Sequence, residues 1–128
     1  LKINGWAYLT SSANGMVGLR LQLSNGSRGA QALFVDLDTV GNHKLAYFEG
    51  TTRKYVDLSN YDFSEYHIVE VKLQNGVQKI SIDGTELVNS SSLASSYCTA
   101  HRLINQAGGL AGQNTDTDIK WLSYYEVS

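Results

Sequence analysis

The run Tyr66-His67-Ile68-Val69-Glu70-Val71-Lys72-Leu73-Gln74-Asn75-Gly76-Val77-Gln78-Lys79-Ile80-Ser81-Ile82 decides how the rest of the chain is read. Val69, Val71 and Leu73 alternate with Glu70 and Lys72, and Ile80 and Ile82 alternate with Lys79 and Ser81. A period of two sends successive side chains to opposite faces of a strand, whereas a helix needs an apolar stripe at a period of about 3.6. Asn75-Gly76 stands between the two runs, and both residues tolerate the positive φ that a tight type I′ turn demands. The segment therefore predicts a β-hairpin with one apolar and one polar face.

The same grammar extends in both directions. Asn4-Gly5, Asn14-Gly15, Asn25-Gly26, Asp83-Gly84 and Gly108-Gly109 supply turns, and the chain contains no proline. Leu19, Leu21 and Leu23 alternate with Arg20 and Gln22; Leu33, Val35 and Leu37 alternate with Phe34, Asp36 and Asp38. Strands are expected near residues 3–10, 16–24, 31–39, 43–49, 53–58, 66–74, 77–83, 85–89, 101–106 and 117–127. The serine-rich stretch over 89–100 reads as a loop or one short helical turn. No linker or internal repeat interrupts the pattern, so residues 1–128 form a single domain. Strands this short must hide their edges, and an antiparallel β-sandwich of two sheets does so economically. On this reading the Leu, Val and Ile rows fill the core, and Arg20, Gln22, Phe34, Asp36 and Asp38 face outward.

Composition narrows the function classes. The chain has 128 residues, 17% of them charged, with a net charge of −2. That balance lacks the basic stripe of a nucleic-acid binder. No apolar run approaches the roughly 18 residues of a membrane-spanning helix, so no membrane insertion is expected. The first residue is Leu1 rather than Met, which reads as a processed protein or a module of a larger one. Cys98 is the single cysteine, so neither a disulfide framework nor a cysteine zinc site is available.

The hairpin, with the continuation Asp83-Gly84-Thr85-Glu86-Leu87-Val88, resembles the signature hairpin of concanavalin A-like (laminin G-like) domains. There a strand opening on a Trp/Tyr-His pair precedes one reading x-V-Y-V-D-G-x-x-V. Asp118-Ile119-Lys120-Trp121-Leu122-Ser123-Tyr124-Tyr125 is similar to the last strand of laminarinase-type sandwiches. Gly18-Leu19-Arg20-Leu21-Gln22 with Asn25-Gly26 resembles the same family's strand-and-hairpin pattern. The resemblance runs from about residue 16 to the end. It implies an all-β jelly-roll sandwich with a concave, carbohydrate-holding sheet, and it places Trp121 in the core.

Retaining glycoside hydrolysis needs two carboxyls about 5 Å apart, and the family's hydrolases carry an E-x-D-x-E-like run on one strand. Glu49, Glu65, Glu70, Glu86 and Glu126 are scattered singly, and Asp36-x-Asp38 is the only such pair well inside an expected strand. His43, His67 and His101 lack metal-site spacing, and nothing around Cys98 and His101 resembles a nucleophile site. No enzyme is expected. Asn114, Asp116 and Asp118 alternate as N-x-D-x-D, which reads either as a structural calcium site or as a polar loop capped by Asx turns.

The expectation is a non-catalytic, lectin-like module that binds an oligo- or polysaccharide, in an extracellular, bacterial-surface or phage-tail (virion) protein. Eight tyrosines and many short polar residues suit sugar stacking and hydroxyl recognition. The expected ligand-binding residues are Arg20, Gln22, Phe34, Asp36 and Asp38, with Tyr47 from the next strand. The alternatives are a structural or protein-interaction domain, and a glycoside hydrolase-related domain acting through Asp36.

Overall fold

A computed structural model describes residues 2–4, 8–9, 18–24, 30–37, 42–91, 100–106 and 116–123, with side chains for 20, 21, 23, 30–35, 42–91 and 118–123. It is all-β, with no helix among the described residues. The strands are β1 (Lys2–Asn4), β2 (Tyr8–Leu9), β3 (Gly18–Ser24), β4 (Ala30–Leu37), β5 (His43–Glu49) and β6 (Thr52–Asp57), followed by β7 (Val69–Gln74), β8 (Val77–Ile82), β9 (Thr85–Ser91), β10 (Ala100–Gln106) and β11 (Asp116–Asp118). A large antiparallel sheet has the order β10-β3-β4-β5-β6, and β2 pairs in parallel with β4 at Asp36 and Leu37. A small sheet has the order β7-β8-β9, and β1 pairs with β11.

The hairpin forms as its alternation requires. Val69 to Gln74 pair in register with Ile82 to Val77. Asn75 and Gly76 both take positive φ, 52° and 74°, as the two-residue turn demands. Asp83 and Gly84 repeat the device at 51° and 80° and send the chain back into β9. A bulge between Ile80 and Ser81 lets Leu87 add to the apolar side without disturbing Val88 opposite Ile80.

The two sheets bury their apolar rows together, in a sandwich-like arrangement. Ala32, Phe34 and Leu45 of the large sheet join Ile80, Ile82 and Val88 of the small sheet in one cluster. Leu58 and Phe63, from the segment between β6 and β7, complete it. Gln78 is buried too, and its Nε2 donates to the Phe48 carbonyl, to Ser90 Oγ (3.0 Å) and to the Ser91 carbonyl (3.1 Å), a polar tie from β8 to β5.

Three expectations are corrected here. Phe34 does not face outward: it is fully buried between the sheets, its ring 5.8 Å from that of Phe63. Leu33 and Val35 are buried as well, so β4 is covered on both faces and its alternation does not separate a wet row from a dry one. The strand expected over 117–127 ends at Asp118 among the described residues, and 124–127 lie outside them. The β1–β11 ladder stops at the Lys2–Asp118 pair, leaving residues 119–123 without a strand partner. Trp121 is consequently 63% exposed and not a core residue.

Truncating Phe34 tests this packing. Phe34→Ala should lose about 3–5 kcal/mol of unfolding free energy, as for other buried aromatics. A solvent-facing phenylalanine would change it by no more than about 0.5 kcal/mol. Urea denaturation of the two proteins distinguishes these results.

Candidate functional site

Sheet register separates the residues expected to form one binding row. Residues directly opposite across an antiparallel pair project to the same face. Arg20 lies opposite Leu33, whereas Phe34 lies opposite Leu45. Arg20 and Phe34 therefore belong to opposite faces of the large sheet. Tyr47 shares the face of Leu45 and packs half-buried against the core, so it does not join Arg20 either. Gln22 pairs with Gln31 and Arg102 along the backbone, and Asp36 pairs with His43 and Tyr8; both side chains lie outside the described ones. Asp38 lies outside the described residues.

The calcium candidates divide similarly. Asn114 lies outside the described residues, while Asp116 and Asp118 sit in β11 opposite Asn4 and Lys2 rather than in a turn. Asp118 is exposed. No group of three or more potential metal ligands occurs among the described residues.

The structure instead brings together a cleft that shares none of the expected outward-row residues. It has a volume of about 220 Å³. Leu21 of β3 forms one wall, Tyr66, His67, Ile68 and Val69 at the entry to β7 another, and Ile119 to Ser123 after β11 the third. Trp121, Leu122 and Ile68 are 63%, 62% and 57% exposed, large values for such apolar side chains. The Lys120 ammonium stands 4.4 Å from the centre of the Tyr66 ring, a cation–π contact. Drug-sized pockets run to ~300–1,000 Å³, so this smaller cleft suits a ligand lying across its rim.

Two short repeats explain how the wall from β7 is held. Asp57-Leu58-Ser59 and Asp62-Phe63-Ser64 each form an Asx turn. Ser59 donates its N–H and Oγ–H to Asp57 at 3.2 and 2.7 Å, and Ser64 does the same to Asp62 at 2.9 and 2.6 Å. In each the middle residue, Leu58 or Phe63, drops into the core. The seryl hydrogen bonds are the first cause holding the Asp57 and Asp62 carboxyls below their usual pKa. The D-[apolar]-S repeat is visible in the sequence and marks the β6–β7 connection as anchored, not loose.

Phe63 then supports His67, with ring centres 5.2 Å apart. His67 Nδ1–H donates to Asp83 Oδ2 and Nε2–H donates to the Asp62 carbonyl, each at 2.6 Å. Asp83 also accepts the Ile68 N–H at 2.9 Å and donates its own N–H to the Ile68 carbonyl at 2.8 Å. Both imidazole nitrogens thus face acceptors, which only the protonated ring can satisfy. Burial pulls the His67 pKa down, but the bonds to Asp83 and Asp62 and the Asp83 charge outweigh it, so the pKa stands above the usual histidine value. The His67 hydrogen bond is the main cause holding Asp83 below the usual carboxylate value.

This pairing carries a pH signature. The His67 contribution is complete below the unfolded value of ~6.5 and is lost as pH rises through the raised folded pKa. The Asp83 contribution is present above ~3.9 and is lost as pH falls through its depressed folded value. The melting temperature should therefore decline on the alkaline side as His67 loses its proton. Asp83→Asn should remove that limb and cost about 1 kcal/mol near pH 6, small because the Asp83 carboxylate is half exposed. Differential scanning calorimetry of both proteins across pH 5 to 9 checks it; an alkaline limb unchanged in Asp83→Asn contradicts the pairing.

Comparison with family models, curated proteins and solved structures gives no match for this chain.

Proposed function

We propose that the chain is a non-catalytic carbohydrate-binding module of the concanavalin A-like, jelly-roll type, and that the Trp121 cleft holds the sugar. The observation that carries this reading is an indole 63% exposed beside Tyr66 and Lys120. Exposing that much aromatic surface is unfavourable in the free protein. It becomes useful when the apolar face of a pyranose stacks on it. Lys120, already positioned over Tyr66, offers ammonium donors to ring hydroxyls or to a carboxylate. Ser123 adds a hydroxyl at the rim.

The partner on this reading is an oligo- or polysaccharide, met outside the cell or at a cell or virion surface. A structural calcium at Asn114, Asp116 and Asp118 belongs to the same proposal. The outward-row site does not, because Arg20 and Phe34 lie on opposite faces.

Trp121→Ala should weaken glycan binding at least about tenfold, corresponding to ~1.4 kcal/mol. Its melting temperature should stay close to that of the parent protein, because an exposed side chain contributes little to folding. Isothermal titration against neutral β-linked oligosaccharides, with and without calcium, measures this. A parent protein that binds none of them at about 10 mM, an affinity below ~3 kcal/mol, contradicts the proposal.

The apolar character of Ile68, Ile119 and Leu122 favours a second reading, a protein-interaction surface. That reading predicts concentration-dependent self-association or capture of a protein partner, abolished by Leu122→Asp, with no effect of added sugar.

A further inference from the structure

The outer face of the small sheet carries a second surface, apart from the cleft. Its cross-strand rows follow from the register. Glu70, Ser81 and Glu86 form one row, and Lys72, Lys79 and Asn89 the next. Gln74, Val77 and Ser91 form the third. Lys72 and Lys79 are thus direct cross-strand neighbours, and like charges in that relation repel. Lys79 reaches Glu86 only at 3.9 Å, and Lys72 makes no ion pair among the described residues. A recess of about 310 Å³ surrounds the two lysines, lined also by Gln74, Asn75, Val77 and Asn89.

We propose that this recess binds a sugar unit bearing a single anionic substituent, a carboxylate or a sulfate, with the charge between Lys72 and Lys79. Two ammonium groups at adjacent cross-strand positions gain most from one shared anion, which cancels their repulsion. The amides of Gln74, Asn75 and Asn89 both donate and accept, matching ring hydroxyls better than they match a bare ion. Asn89 Nδ2 already donates to Glu86 at 3.5 Å, which holds it beside Lys79. Glu70 and Glu86 border the lysines on one side and repel a polyanion running along the strands, which selects an isolated anionic group. This proposal stands on the sheet register and not on the cleft, so either surface can fail alone.

NMR titration of the labelled protein tests it with four probes: methyl glucuronide, glucose 6-sulfate, methyl glucoside and inorganic sulfate. The first two separate the carboxylate from the sulfate source. At least one should shift the amides of Lys72, Lys79 and Asn89, weakening as salt rises. Methyl glucoside and inorganic sulfate should bind at least about tenfold more weakly. Lys72→Gln/Lys79→Gln should abolish the shifts without lowering the melting temperature, since it removes a repulsive pair, and Trp121→Ala should leave them unchanged. Absence of binding by both charged sugars overturns the proposal, as does inorganic sulfate matching them, methyl glucoside matching them, or full affinity in the double variant.

Discussion

The burial of Phe34 against Phe63 and the small sheet is the interaction on which the rest depends. It sets the facing of β4, and through cross-strand register it sets the facing of every strand paired to it. With Phe34 directed inward, Leu45 follows it and Arg20 takes the opposite face. The same cluster draws in Phe63, which places His67, and His67 with Asp83 positions the entry to β7. A cleft wall is thus held in place by a core contact several residues away in sequence.

Much of the fold was legible in the chain. The Asn75-Gly76 and Asp83-Gly84 turns form as expected, and the strands expected near 16–24, 43–49 and 101–106 form at 18–24, 43–49 and 100–106; the hairpin expected from Tyr66 starts its ladder at Val69. The facing of β4 was not legible. Leu33, Val35 and Leu37 form a cleaner apolar row than Ala32, Phe34 and Asp36, yet both rows are buried over 32–35. A strand covered on both sides carries no polar row to reveal which face meets which layer.

The end of β11 differs from its local pattern for a related reason. Asp118 to Trp121 alternates polar with apolar, but a strand also needs a partner, and the ladder stops at the Lys2–Asp118 pair. Local pattern does not report how far a pairing ladder runs. As a result an indole expected in the core stands exposed at the rim of a cleft. The Asx-turn repeat shows the converse: the Asp-x-Ser spacing of 57–59 and 62–64 is local in the sequence and by itself marks the β6–β7 connection as anchored.

The site we propose for ligand recognition is Trp121, not the β3–β4 face. Intermolecular nuclear Overhauser effects from a bound neutral oligosaccharide report that location most directly. Cross-peaks from sugar ring protons to the Trp121 indole and the Leu122 methyls are the predicted result. Cross-peaks confined to Arg20 and its neighbours on β3 would contradict it.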